Sequence, residues 1–203
     1  MELVGQFRNL DDPNKFVWLR GFSDMVSRAS SLSEFYDGPV WKAHREAANA
    51  TIIDNDNVLL LRPAHASSGF VPASRDRPAT SGSASGLLIA NVYHIDPTDE
   101  KESEFIEFFE KMVKPLLAEA GLPIIASFVV EKSVNSYPRL PVREGEHVFV
   151  WFSRVSSENG YERSKLALAA LPAWHNSVEV ELSAKIREPQ TLRLSPTARS
   201  RLR

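Results

Sequence analysis

The best opening for chemistry in this chain is a histidine beside an arginine, just after a proline. Following Pro39, the residues Trp41, His44, Arg45 and Asn49 have spacings that bring Trp41, His44 and Arg45 together if the segment is helical. His44 would then be placed as a general base, with Arg45 steering a carbonyl or acidic ligand. The structural alternative is that Trp41 is core, His44 an edge histidine and Arg45 solvent-facing. A second group falls on expected strands: Gln6, Arg8, Trp18 and Arg20 early in the chain, Asn91, Tyr93 and Trp151 later. Taken as the lining of the bare sheet face, away from the helices, these polar groups among aromatics resemble a small-ligand pocket. Arg20 is the informative member, because an arginine turned inward needs a carboxylate or an anionic ligand. Its alternative is a strand-end position that reaches solvent. His94, closing an apolar run, is the other candidate base.

Other chemistries find no footing. The histidines His44, His65, His94, His147 and His175 lack metal-binding spacing, and the chain has no cysteine, so no metal and no cofactor is expected. The tract Gly82-Ser83-Ala84-Ser85-Gly86 fits neither a nucleophile elbow nor a phosphate loop and reads as linker. With 24 basic against 26 acidic residues, net charge −2, the chain has no global field to steer nucleic acid. It has no secretory leader and no apolar run long enough to span a bilayer, so a cytoplasmic protein without membrane or nucleic-acid partners is expected.

The elements that must position these residues are legible in the second half. Leu87 to His94 is apolar and partly β-branched, a buried strand. A helix follows, with Asp96-Pro97 expected as N-cap and first position, and Phe105, Phe108, Phe109, Met112 and Leu116 as its apolar face; Pro115 should kink it and Gly121 close it. Strands are expected at 123–130 and 147–154, a helix at 158–170 carrying Leu166 and Ala169 inward, and a last strand at 191–194. Strand, helix, strand, strand, helix, strand is the ferredoxin-like order, with both helices on one sheet face.

Shifted by 133 positions, the chain overlies itself. Phe16-Val17-Trp18 falls on Phe149-Val150-Trp151, Pro39 and Trp41 on Pro172 and Trp174, and Pro63 on Pro196, with twelve identities in forty-eight residues. Chance composition would give about three. Upstream the offset falls to 121, so the second copy carries twelve extra residues within about Lys132 to Glu146. Met1 then lies opposite Leu122, leaving the first copy without an opening strand and helix. A late-placed start or a gene fragment is expected to account for this; the alternative is a genuine variant. The expected fold is α+β: two ferredoxin-like units in tandem, an incomplete first unit at 1–63, a linker at 64–86, a complete unit at 87–197 and a basic, frayed tail at 198–203. Along Phe16 to Phe22 the bare sheet faces are too apolar to stay wet, at about 25 cal/mol per Å². They should pack together, within the chain or across a homodimer.

Gly5-Gln6-Phe7-Arg8, Phe16-Val17-Trp18-Leu19-Arg20, Pro39-Val40-Trp41 and the leucine-rich strand ending Leu61-Arg62-Pro63 resemble the NIPSNAP family, within the dimeric α+β barrel superfamily. The resemblance implies a barrel of paired sheets and leaves the biochemistry open, since related barrels include cofactor-free monooxygenases. Three readings follow. A NIPSNAP-like protein would bind a small, mostly apolar ligand or a protein partner. A cofactor-independent monooxygenase or isomerase would use Trp18, Arg20, Asn91 and Tyr93 with His44 or His94. A non-catalytic interaction module would have a solid barrel. A pocket lined by Arg20 and a histidine would favour the enzyme.

Overall fold

The computed structural model describes residues 1–71 and 86–202. Seven strands form one curled antiparallel sheet in the order β2-β1-β7-β4-β6-β5-β3, where β1 is Glu2–Asn9, β2 Phe16–Gly21, β3 Leu61–Pro63, β4 Leu87–His94, β5 Ile124–Val130, β6 Val148–Val155 and β7 Arg187–Pro196. The two halves of the chain join within that sheet. Phe7 to Asn9 pair with Pro196 to Leu194 on one side, and Leu61 to Pro63 with Val130 to Phe128 on the other. Among the described residues β2 and β3 end the sheet, each paired along one edge only.

Strand alternation sorts the core into two layers. From β4, Leu87, Ile89 and Tyr93 enter the layer covered by helices, with Phe149 and Trp151 of β6. Leu88, Ala90 and Val92 enter the concave layer, with Phe7, Val150, Phe152 and Leu194. The concave layer is closed by an aromatic trio in which the Phe70 ring lies 5.3 Å from Phe128 and 5.0 Å from Phe152. Within the described residues this layer buries apolar side chains from both halves of the chain. Gly5 is required there: a Cβ on it would come within 2.3 Å of the Phe7 ring.

The first helices, α1 (Met25–Asp37) and α2 (Pro39–Asn49), meet at Gly38. Asp24 and Ser27 form a reciprocal capping box at the start of α1. The next helix departs from expectation at both ends. Thr98, not Asp96, caps α3 (Asp99–Phe108), its hydroxyl accepting from the Lys101 amide at 3.2 Å. Pro115 has no N–H for the Lys111 carbonyl, and the chain answers with a wide π turn at Phe109–Val113 before α4 (Lys114–Glu119). That turn absorbs about one residue, so the buried stripe continues through Val113 and Leu117, with Leu116 half-buried against it and Met112 exposed.

Three further corrections concern packing. In α5 (Glu158–Ala170), Tyr161 and Ser164 are buried, whereas Leu166 is 72% exposed and Ala169 also faces solvent. A second wide turn at Trp174–Val178 and α6 (Glu179–Lys185) bury Trp174, Val178 and Leu182 where no element was expected. The tail is docked, not frayed: the Ser200 hydroxyl accepts from the Gln6 amide, and the Leu202 amide donates to Val4. Within the expected linker, residues 64–71 are packed, since the Ala64 amide donates to Ser127, the Ser127 amide donates to Ser68, and Phe70 completes the aromatic trio. Residues 72–85, including most of the glycine-serine tract, lie outside the described residues.

Candidate functional site

Two groups of the expected site residues come together, in different halves of the molecule. The first is a polar row under α5. Strands β7, β4 and β6 place Thr191, Asn91 and Trp151 side by side. The Thr191 hydroxyl donates to Asn91 Oδ1 at 2.6 Å, leaving Asn91 Nδ2 and the Trp151 indole N–H without a partner among the described residues. The Tyr93 ring lies 6.3 Å from Trp151. Burial pushes the Tyr93 hydroxyl up to about 12, against a smaller downward pull from the neighbouring indole N–H. Burial likewise raises Tyr161, with a nearby Lys165 opposing it. At neutral pH the row is therefore made of uncharged donors, able to hold an oxygen atom but not to abstract a proton. The expectation that Asn91, Tyr93 and Trp151 share the face opposite the helices is corrected. Their odd-numbered positions on these strands put them in the helix-covered layer.

The second group is arginine-rich and belongs to the first half. Arg20 stacks its guanidinium 4.7 Å over the Trp18 ring, and Trp18 meets Phe35 of α1 edge-on at 6.3 Å. Among the described residues Arg20 Nη1 is buried without a hydrogen-bond partner. Near it, Arg28 of α1 is buried and, among the described residues, donates to neutral groups, Asn135 Oδ1 at 2.9 Å and Ser136 Oγ at 3.2 Å. Burial first, and then the like charge of Arg20, pull the Arg28 guanidinium below its ordinary range. Neither arginine has a carboxylate within ion-pair distance among the described residues, although a buried guanidinium normally requires one. Sequence reasoning missed Arg28; the available signal was that the 133-residue shift sets it opposite Tyr161.

The remaining candidates stand apart. Gln6 is half-buried opposite Trp18, and Arg8 is exposed opposite Phe16. Trp41 is half-buried and packs on Phe35 and Tyr36 at 5.5 and 5.0 Å. His44 and Arg45 are exposed on α2, which buries no residue. His94 closes β4 with its Nδ1 3.5 Å from Glu146. No hydrogen bond among the described residues joins either histidine to Arg20, Asn91 or Tyr93. A cavity of about 310 Å³ lies between α5 and the turn after α4, lined by Gly121, Val155, Arg163 and Ser164, with neither Arg20 nor a histidine in its wall. Among the described residues no three metal-ligating side chains converge, and no helix is long and apolar enough to cross a membrane.

Comparison with known proteins adds likeness of fold. No protein-family model matches the chain, and no curated protein does. Among solved structures, a NIPSNAP family protein from Agrobacterium tumefaciens is 18% identical over 63% of this chain and 100% of its own, with a TM-score of 0.48. An uncharacterized NIPSNAP-like domain protein from Burkholderia xenovorans is 15% identical over 56% of this chain and 87% of its own, with a TM-score of 0.43. A Fusobacterium nucleatum protein described as a "Putative monooxygenase" is 11% identical over 95% of this chain and 74% of its own, with a TM-score of 0.48. At these identities and scores the likenesses carry no conclusion about activity. Two of these solved structures are described as NIPSNAP family or NIPSNAP-like proteins, and this chain is similar to them at that level and no further.

Proposed function

We propose that the chain is a non-catalytic interaction module that binds a polypeptide by strand addition at β2. The reading rests on a comparison of its two halves. In the second half, β4, β5, β6 and β7 lie in the order β7-β4-β6-β5, the ferredoxin-like arrangement, with β4 between β6 and β7. In the first half, β1, β2 and β3 match β5, β6 and β7 under the repeat, and α1 matches α5 along its whole length. Among the described residues no strand pairs with the outer edge of β2, the place that β4 fills beside β6, and this open edge is the observation that carries the proposal.

Exposure agrees. Trp151 is 3% exposed under its helices, whereas its counterpart Trp18 is 39% exposed and Phe16, the counterpart of Phe149, is 56% exposed. An unpaired edge beside half-exposed aromatics is a template for an extended peptide, whose main chain supplies hydrogen bonds and whose alternate side chains supply specificity. The small-ligand reading has less support, because the concave layer is filled by the protein's own side chains. The enzyme reading has less support as well, because its residues divide between two halves and lack a positioned base.

The test uses the strand that fills the corresponding place. A soluble peptide carrying the β4 sequence, Leu87 to His94, should bind the intact chain and slow amide hydrogen exchange in residues 16–21. Protection confined to other segments, or no binding of any strand-forming peptide, would remove the reading.

A further inference from the structure

The first half differs from the second in charge as well as in length. Four positions that are buried in the second half, Val129, Ser153, Tyr161 and Val178, correspond to Arg8, Arg20, Arg28 and Arg45 in the first. No acidic residue stands at the matching positions of the other helix-layer residues of β5, β6, α5 or α6. The helix-side face next to the open edge of β2 is thus basic where its twin is apolar, within a chain of net charge −2. An apolar strand and helix, like those covering the second half, would bury uncompensated guanidinium charge here.

We infer that the occupant of the β2 edge is an acidic extended segment, with a carboxylate side chain seated against Arg20 and Arg28. This rests on the strand-addition reading and names its chemistry. In the second half, Ile89 of β4 lies opposite Ser153, the counterpart of Arg20. A strand added to β2 in the same register sets its corresponding residue opposite Arg20, on the side of the sheet where Arg28 descends from α1. A carboxylate there meets the unpaired Arg20 Nη1, with the Trp18 ring holding the guanidinium plane from the other side. Exposed Arg8 and Arg45 extend the same field along the segment and speed its approach.

The closing experiment compares two forms of the β4-sequence peptide, one with Ile89→Glu and one with Ile89→Gln, on the intact chain and on its Arg20→Gln and Arg20→Lys variants. The glutamate peptide should bind at least about tenfold tighter than the glutamine peptide, as expected for a charge-assisted bond of about 1.4 kcal/mol or more. That preference should shrink with added salt, disappear in Arg20→Gln and persist in part in Arg20→Lys. Equal binding of the two peptides to the intact chain would overturn the carboxylate and leave strand addition standing; binding of neither would overturn both. Arg20-dependent stabilisation by acetate or by a single-stranded oligonucleotide, with no advantage for the glutamate peptide, would show a free-anion or nucleic-acid site and also overturn the inference.

Discussion

Replacing Phe152 with alanine tests whether the concave layer is a packed core or a site kept open for a ligand. Phe152 is buried at the middle of that layer, 5.0 Å from the Phe70 ring and 5.8 Å from Phe128. Removing its ring forfeits a transfer free energy of about 2–3 kcal/mol. The cavity left behind adds roughly 24 cal/mol per Å³, or about 1–2 kcal/mol for a void of ~60 Å³ that the neighbours fill only in part. Losing two aromatic contacts adds about 0.5–1.5 kcal/mol. The expected destabilisation is thus about 3.5–6.5 kcal/mol, measured as a lower urea midpoint at unchanged m-value with the four tryptophans as fluorescent reporters. The void should also admit benzene or xenon, restoring part of the midpoint. A loss under about 1 kcal/mol would mean that the layer is loosely filled, and would return the small-ligand reading to first place.

Two further outcomes are expected. Because Tyr93 is raised to about 12 in the folded chain and ionises near its ordinary value of 10.0 when unfolded, its contribution is complete below pH 10 and is lost as pH rises toward 12. Unfolding free energy should fall by up to about 2–3 kcal/mol across that window, and Tyr93→Phe should flatten this part of the pH profile. Glu102 is buried at the start of α3, 2.6 Å from Arg62 of β3 and 3.4 Å from Lys132. Glu102→Gln should cost about 1–3 kcal/mol by thermal unfolding and speed amide exchange at Leu61 and Arg62, since that short strand loses its tie to the helix layer.

Much of the frame was legible in the residues, because strand alternation and the paired tryptophans are strong local signals. The 133-residue shift aligned β2 with β6 and α1 with α5, and Pro115 marked the place where the helix departs from α geometry. Its phase beyond that point was not legible: whether a proline produces a bend or a π turn depends on packing around Phe109, and the choice moved burial from Met112 to Val113. The candidate residues were legible as types and not as a site. Alternation separated Val17 and Leu19 from Trp18 and Arg20, but which side the helices cover is a tertiary fact, so Asn91, Tyr93 and Trp151 were expected on the opposite face. Arg28 was harder still, since its neighbour Asn135 lies 107 residues away. Only the comparison with Tyr161 singles it out.

The strand order has a consequence for how the chain leaves the ribosome. β1 has its second partner in β7, so the hairpin made by residues 2–21 must wait for residue 187 and beyond before it can join the sheet. At about 5–20 residues per second, that wait is roughly 10–30 s of synthesis. During it the hairpin has two bare edges and displays Phe7, Phe16 and Trp18, the composition that nascent chains and one another's hairpins capture most readily. Arg8 and Arg20 interrupt the apolar run at alternate positions and act as gatekeepers over that interval. The arginines of the two strands thus guard the hairpin while the rest of the chain is still being made.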